Sequence, residues 1–188
     1  MSVRASNELL AGYSTNALRE AARLIRFAHL LLAEPSEWTR ERWSVDANGR
    51  EVPFDSLNGV RWCAGGAILR AHRALPGYAV PIEIPIDPRT NEADRVAQPK
   101  RAVVALELLG QVLLEQNRKR IASSGREGRA TLRKLRKQHP TLLASDINDL
   151  RQIAHPHVLL GLVAALVAIH DELAARRCDR GTSSERAE

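Results

Sequence analysis

Arg61-Trp62-Cys63-Ala64-Gly65-Gly66-Ala67 joins a tryptophan, one of two cysteines and a glycine pair at the point where an apolar helix begins. The spacing predicts that helix from about Val60 to Ala74, initiated at Asp55, Ser56 or Asn58 and stopped by Pro76-Gly77. A glycine inside a helix costs about 1 kcal/mol against alanine. Two in succession imply that another backbone passes too close for a Cβ. The expected partner is the C-terminal apolar helix, whose Gly161 is equally small. A cysteine at a helix start lies near the positive end of the macrodipole, which favours its thiolate.

Upstream, Leu18, Ala21, Ile25, Ala28 and Leu32 recur at steps of three and four, one face of a helix from Ser14 or Thr15 to Ala33. Ser14, Thr15 and Asn16 offer capping oxygens, and Glu34-Pro35-Ser36 ends the helix. Asp46-Ala47-Asn48-Gly49 is a turn signal between Trp43-Ser44-Val45 and Arg50-Glu51-Val52, so a small hairpin is predicted over about 38–53. Trp38 and Trp43 are read as apolar glue holding this flap to the helices, in preference to a ligand-stacking role, because aromatic rings bury large areas.

Downstream, residues 76–99 hold five prolines and read as an ordered loop over the surface. A third helix follows Pro99, with Val103, Leu106, Leu109 or Gly110, and Leu113 facing inward. Ser123-Ser124-Gly125 and Gly128 interrupt the next stretch, leaving a short helix over Thr131–Gln138 ended by Pro140. The last helix opens at His155-Pro156 and reaches Arg177. Apolar residues nearly surround it, so it is expected at the centre of the molecule. Residues 178–188 read as a disordered tail.

A chain of 188 residues suits one core. Aromatics are only 4% of it, so Leu, Val, Ile and Ala must build that core. The expected fold is mainly α: a single compact domain over 1–177, with five or six helices and one small β-hairpin. No apolar segment follows the N-terminus as a secretion signal would require. The apolar run Val158–Ile169 falls short of the roughly 20 residues a bilayer demands. Two cysteines make no disulfide framework. A cytoplasmic protein without a membrane partner is expected. There is no GxGxxG, P-loop, CxxC or HExxH spacing, so no metal or other cofactor is implied.

Charge is unevenly placed. Residues 118–139 carry nine Lys/Arg against one acid, Glu127, whereas the whole chain carries +6, so the rest is slightly acidic. Arg118, Lys119, Arg120, Arg133, Lys134, Arg136 and Lys137 are the candidate binding residues, for a nucleic acid or an acidic protein partner. The band holds no aromatic residue for stacking on single-stranded bases and no groove-reading motif. The plainer reading is a solvated excursion that serves solubility.

The alternative function is a small cysteine-dependent hydrolase or transferase. Cys63 would be the nucleophile and His155 its base, with Asn148 and Asp149 orienting the imidazole. The simpler reading makes Cys63 a small buried hydrophobe, His155 a neighbour of a helix cap, and Asn148-Asp149 a turn and cap. Arg61 is expected to pair with Asp149 or Asp146, on charge complementarity.

Several pieces together resemble a bacterial family of domains of unknown function. They are the N-terminal helix, Glu37-Trp38-Thr39, the Asp46–Arg50 hairpin, Val60-Arg61-Trp62-Cys63-Ala64 with Gly66-Ala67, the Asn148-Asp149 pair, and the histidine opening the last helix. The resemblance covers about residues 15–75 and 145–173 and implies a compact, mostly helical fold. It implies no particular activity. The proline-rich loop and the basic band depart from it.

Overall fold

The computed structural model describes residues 9–54, 56–75 and 100–184. The proline-rich segment 76–99 and residues 185–188 of the predicted tail lie outside the described residues. The fold is mainly α, 69% helical, with one small two-stranded antiparallel sheet. The helices are α1 (Thr15–Leu31), α2 (Ala64–Ala74), α3 (Lys100–Ala122), α4 (Gly125–Leu135), α5 (Pro140–Asn148) and α6 (His155–Ser184). The sheet pairs β1 (Ser44–Val45) with β2 (Arg61–Trp62).

The first helix forms as its sequence dictates. Ser14 caps it, its hydroxyl accepting from Ala17 N–H at 3.2 Å, and Leu18, Ala21, Ile25 and Ala28 are buried. The Asp46–Gly49 turn also forms, with the Asp46 carboxylate accepting from Asn48 and Arg50 N–H. Its outer arm returns beside the inner one through the Val45–Glu51 bridge. The paired strands, however, are Ser44–Val45 and Arg61–Trp62, a strand the sequence assigned to the helix. Pro53, which lacks an N–H, limits the outer arm. Trp62, buried in the core, rewards the inner pairing. Helix α2 therefore starts at Ala64, not Val60, with Cys63 as its cap.

The central helix is α3, not the last one. It packs on α1, α2, α4, α5 and α6. Ala105, Leu106, Leu108, Leu109, Val112 and Leu113 are all buried, so its sides are covered almost all round. Helix α6 packs on α1 and α3 through Val158, Leu162, Ala165, Ile169 and Leu173. Its opposite side leaves Leu160 61%, Val163 44% and Val167 53% exposed. Residues His155–Cys178 are long and apolar enough to cross a bilayer by length and composition alone, beyond the shorter run read from the sequence. Helix α6 continues to Ser184, past the start of the predicted tail at 178.

The glycines mark close approaches, but with other partners than expected. A Cβ on Gly66 would collide with the Trp43 carbonyl, and one on Gly65 with the Ser145 hydroxyl and the Trp43 ring. Gly161 instead faces Leu113 of α3. The flap and α5 crowd the start of α2; α6 does not.

Candidate functional site

Cys63 is buried at the head of α2. Its sulfur accepts from Gly66 N–H at 3.2 Å and lies 3.7 Å from the Ser145 hydroxyl of α5. Burial pushes the thiol up to about 11. The N–H groups of Gly66 and Gly65 and the Ser145 hydroxyl pull the other way, and the Asp149 charge adds to the rise. Desolvation outweighs the helix terminus here, so the group is a neutral thiol at physiological pH.

His155 is engaged elsewhere. Its Nε2 donates to the Leu32 carbonyl at the end of α1, at 2.6 Å, and its ring tilts against Trp38 with centroids 5.9 Å apart. Among the described residues no histidine nitrogen is bonded to the Cys63 sulfur. The chain does not bring Cys63 and His155 together as nucleophile and base.

Asn148 and Asp149 do meet the Cys63 region, as fasteners. Asn148 is fully buried at the end of α5. Its Oδ1 accepts from Trp38 Nε1 at 2.7 Å and from Ala64 N–H, the first residue of α2, at 3.2 Å. Its Nδ2 donates to the Thr39 carbonyl at 3.0 Å and to Asp149 Oδ1 at 3.1 Å. Two acceptor sites and two donors exhaust what an amide offers. Asp149 Oδ1 also accepts from Glu41 N–H at 2.8 Å, holding Glu41 at a φ of 61°. Arg40 lies 4.8 Å over the Trp38 ring and donates to the Ile153 carbonyl. The segment 38–41 is thus tied to both ends of the α5–α6 connection. Arg61 takes neither Asp146 nor Asp149; it leans over the turn, 3.5 Å from the Asp46 carbonyl oxygen. Ser145 and the polar use of Trp38 escaped the sequence reading, because their partners lie about a hundred residues away.

The basic band folds into a helical hairpin. Helix α3 ends with Arg118, Lys119 and Arg120 on its last turns, and α4 runs back beside it. Gly128 allows the crossing: a Cβ there would strike the Ile121 carbonyl of α3. It therefore sits inside α4 as a contact point and does not break the helix. Gly128, Leu132 and Leu135 face the core. Arg126, Arg129 and Arg133, at steps of three and four, line the opposite side with Lys134. Arg136 and Lys137 follow at the helix end. All nine Lys/Arg of the band are exposed, and among the described residues none has a carboxylate within salt-bridge distance. Lys134 stands close enough to Asp146 to act on it, although burial raises that carboxyl overall. Arg126 and Arg129, exposed on α4, join the seven candidates read from the sequence.

Helix α5, which follows α4 after four residues, has Thr141, Leu143, Ala144, Ser145, Ile147 and Asn148 buried. Only Pro140, Leu142 and Asp146 of it are not buried, which is no row of donors for reading a groove. The described aromatic residues Tyr13, Phe27, Trp38, Trp43, Phe54 and Trp62 all pack in or against the core, so none serves the basic face. Among the described residues no group of three or more His, Cys, Asp or Glu is placed to hold a metal ion. No protein-family profile, no curated protein and no solved structure matches this chain.

Proposed function

We propose that the protein is a binding or accessory protein that contacts the phosphate backbone of nucleic acid through the α3–α4 hairpin, without reading sequence. The observation that carries this reading is the nine exposed Lys/Arg on one hairpin, free of carboxylate partners among the described residues. Buried Leu132 and Leu135 fix α4 and hold its charges in a rigid row about 16 Å long. Clustered cations displace condensed counterions from phosphates, and that entropy drives association. An acidic protein partner fits less well. Stable protein interfaces are anchored by aromatic or apolar residues in pockets, and this face presents none. Without aromatic side chains the face has nothing to stack on bases, which favours duplex over single strand. Burial of Cys63 and the bond of His155 to the Leu32 carbonyl weigh against the hydrolase reading.

Fluorescence anisotropy with a labelled 20–30 base-pair duplex of arbitrary sequence tests this. Affinity should fall on the order of a thousandfold between about 50 and 200 mM salt if six phosphates are engaged. Arg133→Ala, Lys134→Ala, Arg136→Ala and Lys137→Ala together should abolish binding at the higher salt. Tight binding of polyglutamate with none of duplex would replace nucleic acid by an acidic protein partner.

A further inference from the structure

The turn that precedes α6 touches the basic hairpin. Gln152 Nε2 donates to Ser124 Oγ in the α3–α4 turn at 2.8 Å. Arg151, exposed, adjoins Gln152. His157 Nδ1 accepts from Ala154 N–H at 2.9 Å. An acceptor nitrogen has no proton, so the neutral ring carries its proton on Nε2, as a donor with no hydrogen-bond acceptor among the described residues. Burial and the Arg120 guanidinium hold His157 below its ordinary range; Arg120 is the charged group that acts on it.

We propose that the phosphate-binding surface has a second arm, in which Arg151 and the Nε2–H of His157, set beside the hairpin by the Gln152–Ser124 contact, take further phosphates of the same duplex backbone. This rests on the reading of the α3–α4 hairpin as a nucleic-acid surface. The two arms come from separate segments that meet at Ser124 and Gln152. A neutral imidazole and a guanidinium complement each other there: the ring donates a directed hydrogen bond, and the cation supplies charge.

Anisotropy with the same duplex separates the two readings. His157→Asn keeps an acceptor for Ala154 N–H and removes only the outer donor. It should weaken binding two- to fivefold with an unchanged melting temperature. Arg151→Ala should lower the slope of log affinity against log salt by about 0.9, the value of one phosphate contact. In the wild type, duplex should raise the pKa of the His157 ring followed by proton NMR, because a phosphate opposes Arg120. If both variants bind like the wild type while the α4 substitutions weaken binding, the second arm is wrong and the hairpin reading stands. If the wild type binds no duplex, both fall.

Discussion

The knot around Asn148 and the hairpin of α3 and α4 treat polar groups in opposite ways. At the knot every donor and acceptor of a buried amide is matched within the chain, and three segments meet there: 38–41, the head of α2 and the end of α5. On the hairpin nine cations face solvent with no carboxylate partner among the described residues. The contrast teaches where to look for function. Satisfied buried polar groups fix one conformation. Unmatched surface charge of one sign is stability left unused and is open to an outside partner. The Cys, His, Asn and Asp of a hydrolase are all present in the sequence, yet they fall on the satisfied side of this division.

The largest effect is expected from Asn148→Leu. It would leave Trp38 Nε1, Ala64 N–H and the Thr39 carbonyl without partners. Each buried orphan costs about 1–3 kcal/mol, so a loss of about 3–5 kcal/mol should appear in urea unfolding. A loss below about 1 kcal/mol would mean that the knot is not the fastener described. Gly66→Ala comes next, at about 3 kcal/mol. Its Cβ meets the Trp43 backbone, which is held by the Cys63 N–H on its carbonyl at 3.2 Å and has no room to retreat. Gly125→Ala is a poor control because of its φ of 67°. Gly12→Ala, where a Cβ meets only ordinary contact, serves instead.

Alkaline pH sharpens the comparison at Cys63. The thiol ionises near 9 when unfolded and at about 11 when folded. Between those values the unfolded chain sheds a proton that the folded chain keeps. The stabilisation is complete below pH 9 and is lost as pH rises toward 11, by about 2–3 kcal/mol. Tyr13, pushed up by burial and by its bond to Glu107, adds a loss of the same sign at higher pH, so the measurement belongs on a Tyr13→Phe background. Cys63→Ser retains a cap for Gly66 N–H and should flatten the decline. Iodoacetamide should modify exposed Cys178 in the native protein and reach Cys63 only in denaturant. Native alkylation of Cys63 would falsify its burial.

Helix count, a small hairpin, the Ser14 cap and the Asp46 turn were legible in the sequence because they depend on local rules; the partner strand Arg61–Trp62 and the Cys63 cap were not. Ser14 caps a helix and Asp46 a turn wherever they stand. The partners were not legible. Helix α6 holds the apolar run Val158–Ile169, yet one side of it carries exposed Leu160, Val163 and Val167. Helix α3 contains more charge but is covered on almost every side. Apolar content states how much a helix can bury, not how many neighbours the chain path brings to it. The same limit explains Gly65 and Gly66. Their pattern announced a close approach, and only the path of the flap showed that Trp43 makes it. In the candidate interface, the seven cations were readable as a run of charge. Arg151 and His157 were not, because a contact between Gln152 and Ser124, 28 residues apart, brings them in.

The smallest effect on stability is expected where the effect on binding is largest. Arg133, Lys134, Arg136 and Lys137 make no salt bridge among the described residues, so replacing all four by Ala removes no attraction beyond the longer-range pull of Lys134 on Asp146. It removes repulsion between like charges spaced along one helix and its end. Alanine also has the higher helix propensity. The fourfold variant should therefore be as stable as the wild type within about 0.5 kcal/mol at 0.15 M salt, and slightly more stable at low salt. Thermal unfolding across a salt series checks the sign. Destabilisation of 2 kcal/mol or more would show that these side chains hold the fold, which would move the hairpin to the same side of the comparison as Asn148. A gain that fades as salt rises is the signature of charge kept against the interest of the folded chain, and such charge needs a partner to account for it.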